Sequence, residues 1–246
     1  MSLIESVVTG RAARPPRIMI YGSEGVGKST FAASAPQAVF VQLEDGLSEI
    51  DCAKFPLCGS FKDMVAQLDA IRDEQHDFQT LCVDSLDWLE RLIWDRVCAD
   101  YGVKCIEKAD GGYGKGYIHA LTYWRQFITA LNEIREKRNM AIVLVAHAKV
   151  ERFEDPEHPA YDRYSPRLHK AACSLVSEWV DAVLFATRRM RVDSPTGKAA
   201  PVGADGGERV MRANGSPAYI AKNRYSLPSE MQLSWAAFVQ GLTAKK

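Results

Sequence analysis

An α/β fold with a mostly parallel central sheet flanked by helices is what this sequence predicts, and three features predict it. Short apolar runs alternate with amphipathic helical stretches along the chain, the pattern of strand and crossover helix. The most apolar run, Ala141 to Ala146 (AIVLVA), shows no polar alternation, as a central parallel strand covered on both faces requires. A glycine-rich segment lies directly between the first apolar run and the first helix start.

In chain order, Arg17 to Tyr21 (RIMIY) reads as a short buried strand. The run Gly22-Ser23-Glu24-Gly25-Val26-Gly27-Lys28-Ser29-Thr30 then fits the pattern G-x-x-x-x-G-K-[ST]. In such a strand-to-helix turn the backbone N–H groups can wrap a phosphate. The glycines permit the backbone angles and close approach, the helix dipole adds positive potential, Lys28 would reach the β- and γ-phosphates of a nucleoside triphosphate, and Ser29 would ligate Mg²⁺. Ala38 to Leu43 (AVFVQL) is a second strand. Ser60 caps a helix with Phe61, Met64, Val65, Leu68 and Ile71 on one face, and Thr80 to Asp84 (TLCVD) is a third strand. Leu86 to about Tyr101 is amphipathic. Asp110 to Tyr117 (DGGYGKGY) is too glycine-rich to pack and is expected to be a mobile loop, and Ile118 to Arg138 is a long helix leading into the central strand.

Lys149 to His169 is expected to be a long polar loop with three prolines, followed by a helix over Lys170 to Val180 and a strand over Ala182 to Ala186. Glycines and prolines break the chain over Ser194 to Gly207. Glu208 to Ala213 and Tyr219 to Ala221 are expected to form a C-terminal hairpin around Asn214-Gly215-Ser216-Pro217. Met231 to Leu242 closes the chain as helix or strand, which periodicity over so few residues does not decide.

The 246 residues suffice for one sizeable core and no feature marks a second, so the expected division is an N-terminal segment, 1–16, and one domain carrying the phosphate loop, 17–246. Lys plus Arg and Asp plus Glu each number 31, so no global field draws the chain to nucleic acid, and any such binding must rest on local clusters. Six cysteines without a CxxC pair read as free thiols, and His76, His119, His158 and His169 have no zinc-site spacing. No apolar run approaches the roughly twenty residues of a membrane span. The N-terminus does not resemble a secretory signal, so a soluble, cytoplasmic protein without a membrane partner is expected.

Asp84 ends an apolar strand downstream of the phosphate loop, where a Walker B carboxylate would hold the Mg²⁺ hydration shell. Ser85 and Asp87 could assist it or cap the next helix. Glu44, directly after the second strand, stands where a water-activating base is needed; Asp45 is its rival, and a solvated loop acid is the plainer reading. His147 follows the central strand and could sense the γ-phosphate, or serve as a structural histidine. Arg188, Arg189 and Arg191 are read as solvating a sheet edge rather than touching DNA. Trp88, Trp94, Trp124 and Trp179, all within helical stretches, are expected in core or subunit-interface packing.

Phosphate loop, Glu44 after the second strand, Val83-Asp84-Ser85, His147 after the fourth, then a long segment, helix and strand: in this order the sequence resembles the RecA-type recombinase core from about Arg17 to Leu227. Ala221-Lys222-Asn223-Arg224 is similar to the K-x-K or K-x-R element with which RecA-like and hexameric-helicase ATPases reach a neighbour's γ-phosphate. Lys222 to Pro228 (KNRYSLP) resembles a run in short phage RecA-like proteins that anneal or exchange single strands.

The resemblance implies ATP and Mg²⁺ as cofactors and a homo-oligomer, ring or filament, with Lys222 and Arg224 acting in trans. It also implies single-stranded DNA as partner, a cognate single-strand-binding protein, and the host cytoplasm if the chain is phage-encoded. It makes two segments DNA-binding loops, the first with Tyr113, Lys115 and Tyr117, the second with Tyr161, Arg163, Tyr164, Arg167 and Lys170. Rings for base stacking and cations for phosphates fit single-strand binding, although Glu151, Glu154, Asp155, Glu157 and Asp162 share the second segment. A solvated mixed-charge loop there and a flexible lid in the first segment are the other readings. The chain shows neither a substantial N-terminal polymerisation segment nor a separate C-terminal DNA-gathering domain, so annealing is expected rather than autonomous strand exchange. The implied function is ATP-dependent single-stranded-DNA binding for annealing or recombination. The alternatives are a hexameric helicase-type motor, a small-molecule P-loop kinase and a non-catalytic nucleotide-gated module.

Overall fold

Ten strands share one sheet in a computed structural model that describes residues 3–7, 9, 10, 14–192, 199–203 and 206–244. The strands are β1 (Arg17–Gly22), β2 (Ala38–Gln42), β3 (Ala53–Lys54), β4 (Thr80–Asp84), β5 (Ala141–Phe153), β6 (Tyr161–Pro166), β7 (Ala182–Arg188), β8 (Met190–Val192), β9 (Ala199–Pro201), β10 (Arg209–Arg212), β11 (Lys222–Asn223) and β12 (Glu230–Gln232). The helices are α1 (Lys28–Ala33), α2 (Phe61–Asp73), α3 (Leu86–Tyr101), α4 (Lys115–Arg138), α5 (Lys170–Trp179) and α6 (Trp235–Thr243).

The sheet runs β12-β10-β7-β1-β5-β4-β2-β3, with β6 on β5 and β11 on β7; β8 and β9 form a separate pair. From β7 to β3 every neighbouring pair is parallel, and β10, β12 and β11 add antiparallel strands at one side. The predicted class is therefore the one the chain adopts. Successive residues of a strand face opposite sides, so β1 feeds both cores. Met19 and Tyr21 join the larger cluster under α2 to α5, and Ile18 and Ile20 join the smaller one under α1 and α6. Trp124, Phe127, Leu131 and Ile134 recur at helical spacing on α4 and are fully buried, each worth about 1.5–3 kcal/mol of transfer free energy. Trp124 is thus core rather than interface.

Local chemistry sets the helix ends. Ser60 Oγ accepts the Asp63 N–H at 3.2 Å and starts α2, while Gly102 (φ 63°) and Asn139 (φ 54°) take the left-handed conformation that ends α3 and α4.

Four expectations change. The segment 110–117 is packed over its second half: Lys115, Gly116 and Tyr117 form the first turn of α4, where a side chain on Gly116 would collide with the Ile106 carbonyl. The polar stretch after Lys149 is a β-hairpin, Ala148 to Phe153 pairing with Tyr161 to Pro166. The C-terminal antiparallel pair exists, but the partner of β10 is β12; Tyr219 instead bridges to Tyr164, and β11 continues along the edge of β7 that β10 occupies. Met231 to Leu242 is both alternatives in turn, the end of β12 and then α6. Of the Ser194 to Gly207 break, residues 194–198, 204 and 205 lie outside the described residues. Arg189, just past the end of β7, pairs with Glu208 and, at 2.6 Å, with Glu230. Among the described residues, no helix is long and apolar enough to cross a membrane.

Candidate functional site

Parallel register brings the strand ends together at one edge. Gly22 stands opposite both His147 and Ala186, and Gln42 opposite Asp84. A Cβ at Gly22 would collide with the Ala186 carbonyl, so the chain turns out of β1 here only as glycine. Gly25 (φ 69°) and Gly27 (φ 105°) then take left-handed angles and carry the loop through Ser23, Glu24 and Val26 to Lys28, Ser29 and Thr30 at the start of α1.

Lys28 is 5% exposed and donates to the carbonyls of Gly22 (3.1 Å) and Ser23 (2.9 Å). Burial lowers its pKa, and Asp84 and Glu44 oppose that shift. Ser29 Oγ donates to Asp84 Oδ2 at 2.6 Å, while Asp84 Oδ1 is buried without a hydrogen-bond partner. Burial raises the Asp84 pKa. A buried carboxylate oxygen with no donor, beside a hydroxyl, fits a hard cation. The Ser29 hydroxyl and the Asp84 carboxylate would suit Mg²⁺, which is usually bound by one or two carboxylates together with phosphate and water oxygens.

The Leu43 N–H donates to the Asp84 carbonyl at 2.7 Å, which ties the exit of β2 to β4 and brings Glu44 to the same edge. Asp87 accepts from the His147 backbone N–H at 3.1 Å and from Nδ1 at 3.0 and 3.1 Å. An ionised carboxylate only accepts, so Nδ1 carries the proton and Nε2 faces Glu44 Oε1 at 3.8 Å. Burial acts to raise the Asp87 pKa, but the His147 bonds outweigh it and lower it; those bonds raise the His147 pKa against burial. Burial raises the Glu44 pKa, and His147 pulls it back. Both acids line the cleft, and of the two Glu44 is the half-buried one while Asp45 is exposed.

These groups wall a cleft of about 520 Å³, within the usual range for small-ligand sites. Six further residues line it that sequence reasoning did not place there: Gly46, Ile50, Trp88, Arg91, Arg167 and Arg209. Trp88 and Arg91 lie in the first and second turns of α3, which follows Asp84 directly, and that nearness to the strand end is the signal that places them. Arg209 gave no local signal, because only the pairing of β10 with β7 brings it near.

The segments read as DNA-binding divide. Tyr113 is fully exposed, and Lys115 reaches Asp110 at 3.7 Å. Tyr117 is occupied, stacked on His169 at 4.4 Å and edge-on to Trp94. On β6, Tyr161 and Arg163 share one face, where Arg163 lies over Phe153 at 3.8 Å and pairs with Glu151; Tyr164 faces the other way, 44% exposed, against Phe185. Lys170 is exposed at the start of α5. Arg167 belongs with the cleft instead, pairing with Glu24 of the phosphate loop at 3.1 Å.

Lys222 spends its ammonium on the carbonyls of Ser177, Glu178 and Val180 at 2.7–2.8 Å, closing the C-terminal end of α5. Arg224 is 54% exposed and 3.5 Å from Asp181. Both lie by the amino end of β7, across the sheet from the phosphate loop, so neither approaches the cleft of its own chain.

Three comparisons bear on this site. A family described as an AAA domain matches residues 14–225. The SPbeta prophage-derived uncharacterized protein YorG of Bacillus subtilis (strain 168) is 26% identical over 175 residues, covering 68% of this chain and 49% of its own. The chain thus spans about half the length of this curated relative. The crystal structure of the RadB recombinase overlaps 80% of this chain and 79% of its own at 12% identity and a TM-score of 0.45, too loose a likeness to support a functional argument. The AAA domain match takes in the phosphate loop, the Asp84 strand, the hairpin and β11 together, and with it the chain belongs to the AAA domain family, as a P-loop NTPase.

Proposed function

We propose that the chain is a Mg²⁺-dependent ATPase that binds single-stranded DNA and promotes strand annealing or recombination as a homo-oligomer. The observation that carries the hydrolytic half is the aim of Glu44, a half-buried carboxylate on the cleft wall beside a histidine fixed by Asp87. In this reading Lys28 holds the β- and γ-phosphates and Glu44 takes the proton of the attacking water. Burial raises the Glu44 pKa, which makes it a better base, and the neighbouring His147 opposes that rise. Ser29 and Asp84 would hold Mg²⁺, whose charge would offset that on the phosphoryl oxygens.

The DNA-binding half is supported by the exposed rings of Tyr113 and Tyr164, by the exposed cations Lys115 and Lys170, and by the resemblance of Lys222 to Pro228 to the phage run. A prophage-derived relative supports phage origin. With Lys222 committed to α5, the contact to a neighbouring subunit rests on Arg224. ATP turnover measured with and without single-stranded DNA tests the reading. Turnover indifferent to DNA favours a small-molecule kinase or a nucleotide-gated module, and directional unwinding of a tailed duplex favours a helicase-type motor.

A further inference from the structure

On the side of the phosphate loop away from Asp84, Glu44 and His147, β10 carries Arg209 over the last glycine of the loop. Its Nη1 lies 3.1 Å, and its Cδ 3.8 Å, from where a Cβ on Gly27 would stand. The strand order explains the approach: β7 and β10 flank β1 on one side, β5, β4 and β2 on the other. Other cations of the cleft are engaged. Lys28 donates to loop carbonyls, Arg167 pairs with Glu24, and Arg91 lies on the Trp88 ring at 4.3 Å. The Arg209 guanidinium has no hydrogen bond or ion pair among the described residues, although its stem is packed against the loop.

We propose that Arg209 is a nucleotide ligand acting in cis, holding the α,β end of the phosphate chain; this rests on the reading of the cleft as an ATP site. Hydrolysis by Glu44 puts the terminal phosphate on the β5–β4 side, so the phosphate chain crosses the loop and its other end arrives under β10. A guanidinium fork matches two phosphate oxygens at once. A ligand at that end serves ADP and ATP alike, unlike a group that meets the γ-phosphate.

The test is equilibrium binding of Mg²⁺-ADP and Mg²⁺-ATP to wild type, Arg209→Ala and Arg209→Lys, with thermal melting as the folding control, and ATP turnover in mixtures of Arg209→Ala with Lys28→Ala subunits. Arg209→Ala should weaken both nucleotides by a similar factor, about ten- to a hundredfold for a lost charge-assisted contact. Arg209→Lys should recover part of the loss, and mixing should restore no turnover. Three results overturn the assignment: wild-type ADP affinity in Arg209→Ala that melts like wild type, weakening confined to ATP, or turnover restored on mixing, which would place the arginine in trans. If Arg209→Ala melts early, Arg209→Lys decides by the same ADP measurement. A wild type that binds neither nucleotide overturns the ATP-site reading itself.

Discussion

The inner wall of the cleft and the outer face of the hairpin lie close along the chain, since β5 supplies both, yet they are built in opposite ways. At the cleft, side chains are held before any ligand arrives: Lys28 by two loop carbonyls, Ser29 by Asp84, His147 by Asp87. Beyond Ala148, β5 pairs only with β6, both faces of that ribbon meet solvent in part, and Tyr164 stands 44% exposed. Phosphoryl transfer depends on charge held in fixed geometry, which a buried, mutually bonded set provides. A flexible polymer is gripped by rings and cations that tolerate many arrangements. One strand can serve both demands because its burial changes along its length.

The largest expected effect sharpens the cleft side. Glu44→Gln should bind ATP yet hydrolyse it about a hundredfold or more slowly, in the range of a lost general base, whereas exposed Asp45→Asn should stay near wild type. If single-turnover rates show the defect in Asp45→Asn instead, the wall is misread by one residue.

Much of this contrast was legible in the sequence. The phosphate loop and the strand ends at Glu44, Asp84 and His147 were read because each is fixed by its immediate neighbours, an apolar run stopping at a polar residue. The hairpin was not, because Lys149 to Phe153 and Tyr161 to Ser165 have water on both faces in part and so lack the apolar alternation that marks a strand. Arg167 and Lys222 were placed by resemblance. Their actual partners, Glu24 and the end of α5, are more than forty residues away in sequence for Lys222 and further for Arg167, and no local pattern encodes them.

A second, intermediate effect probes the join between the two regions. Glu90, one turn after Asp87 on α3, accepts the His169 N–H with both oxygens at 2.9 Å and so positions the ring on which Tyr117 stacks. Burial pushes its pKa up to about 7. The folded chain keeps a proton that the unfolded chain releases from about pH 4.5 upward, so this group's stabilisation is full below that pH and is lost as pH rises through about 7. The loss amounts to at most about 3 kcal/mol. Glu90→Gln should flatten the fall in stability across that window in denaturant titrations. An unchanged slope would mean Glu90 is not the titrating link.

The smallest effect separates the two faces of the ribbon. Tyr164→Ala should weaken single-stranded DNA binding by about 1–3 kcal/mol, the value of one lost stack, and Tyr161→Ala by less, since its ring is half-buried and on the opposite face. A larger loss from Tyr161→Ala would put the strand on the other face.

ATP turnover at saturating single-stranded DNA, in wild type and in Lys28→Ala, tests most directly whether cleft and ribbon work together. The account predicts a wild-type rate that rises when DNA is added and a Lys28→Ala rate at background with or without it. A wild-type rate that DNA does not change, or turnover that survives the loss of Lys28, would contradict it.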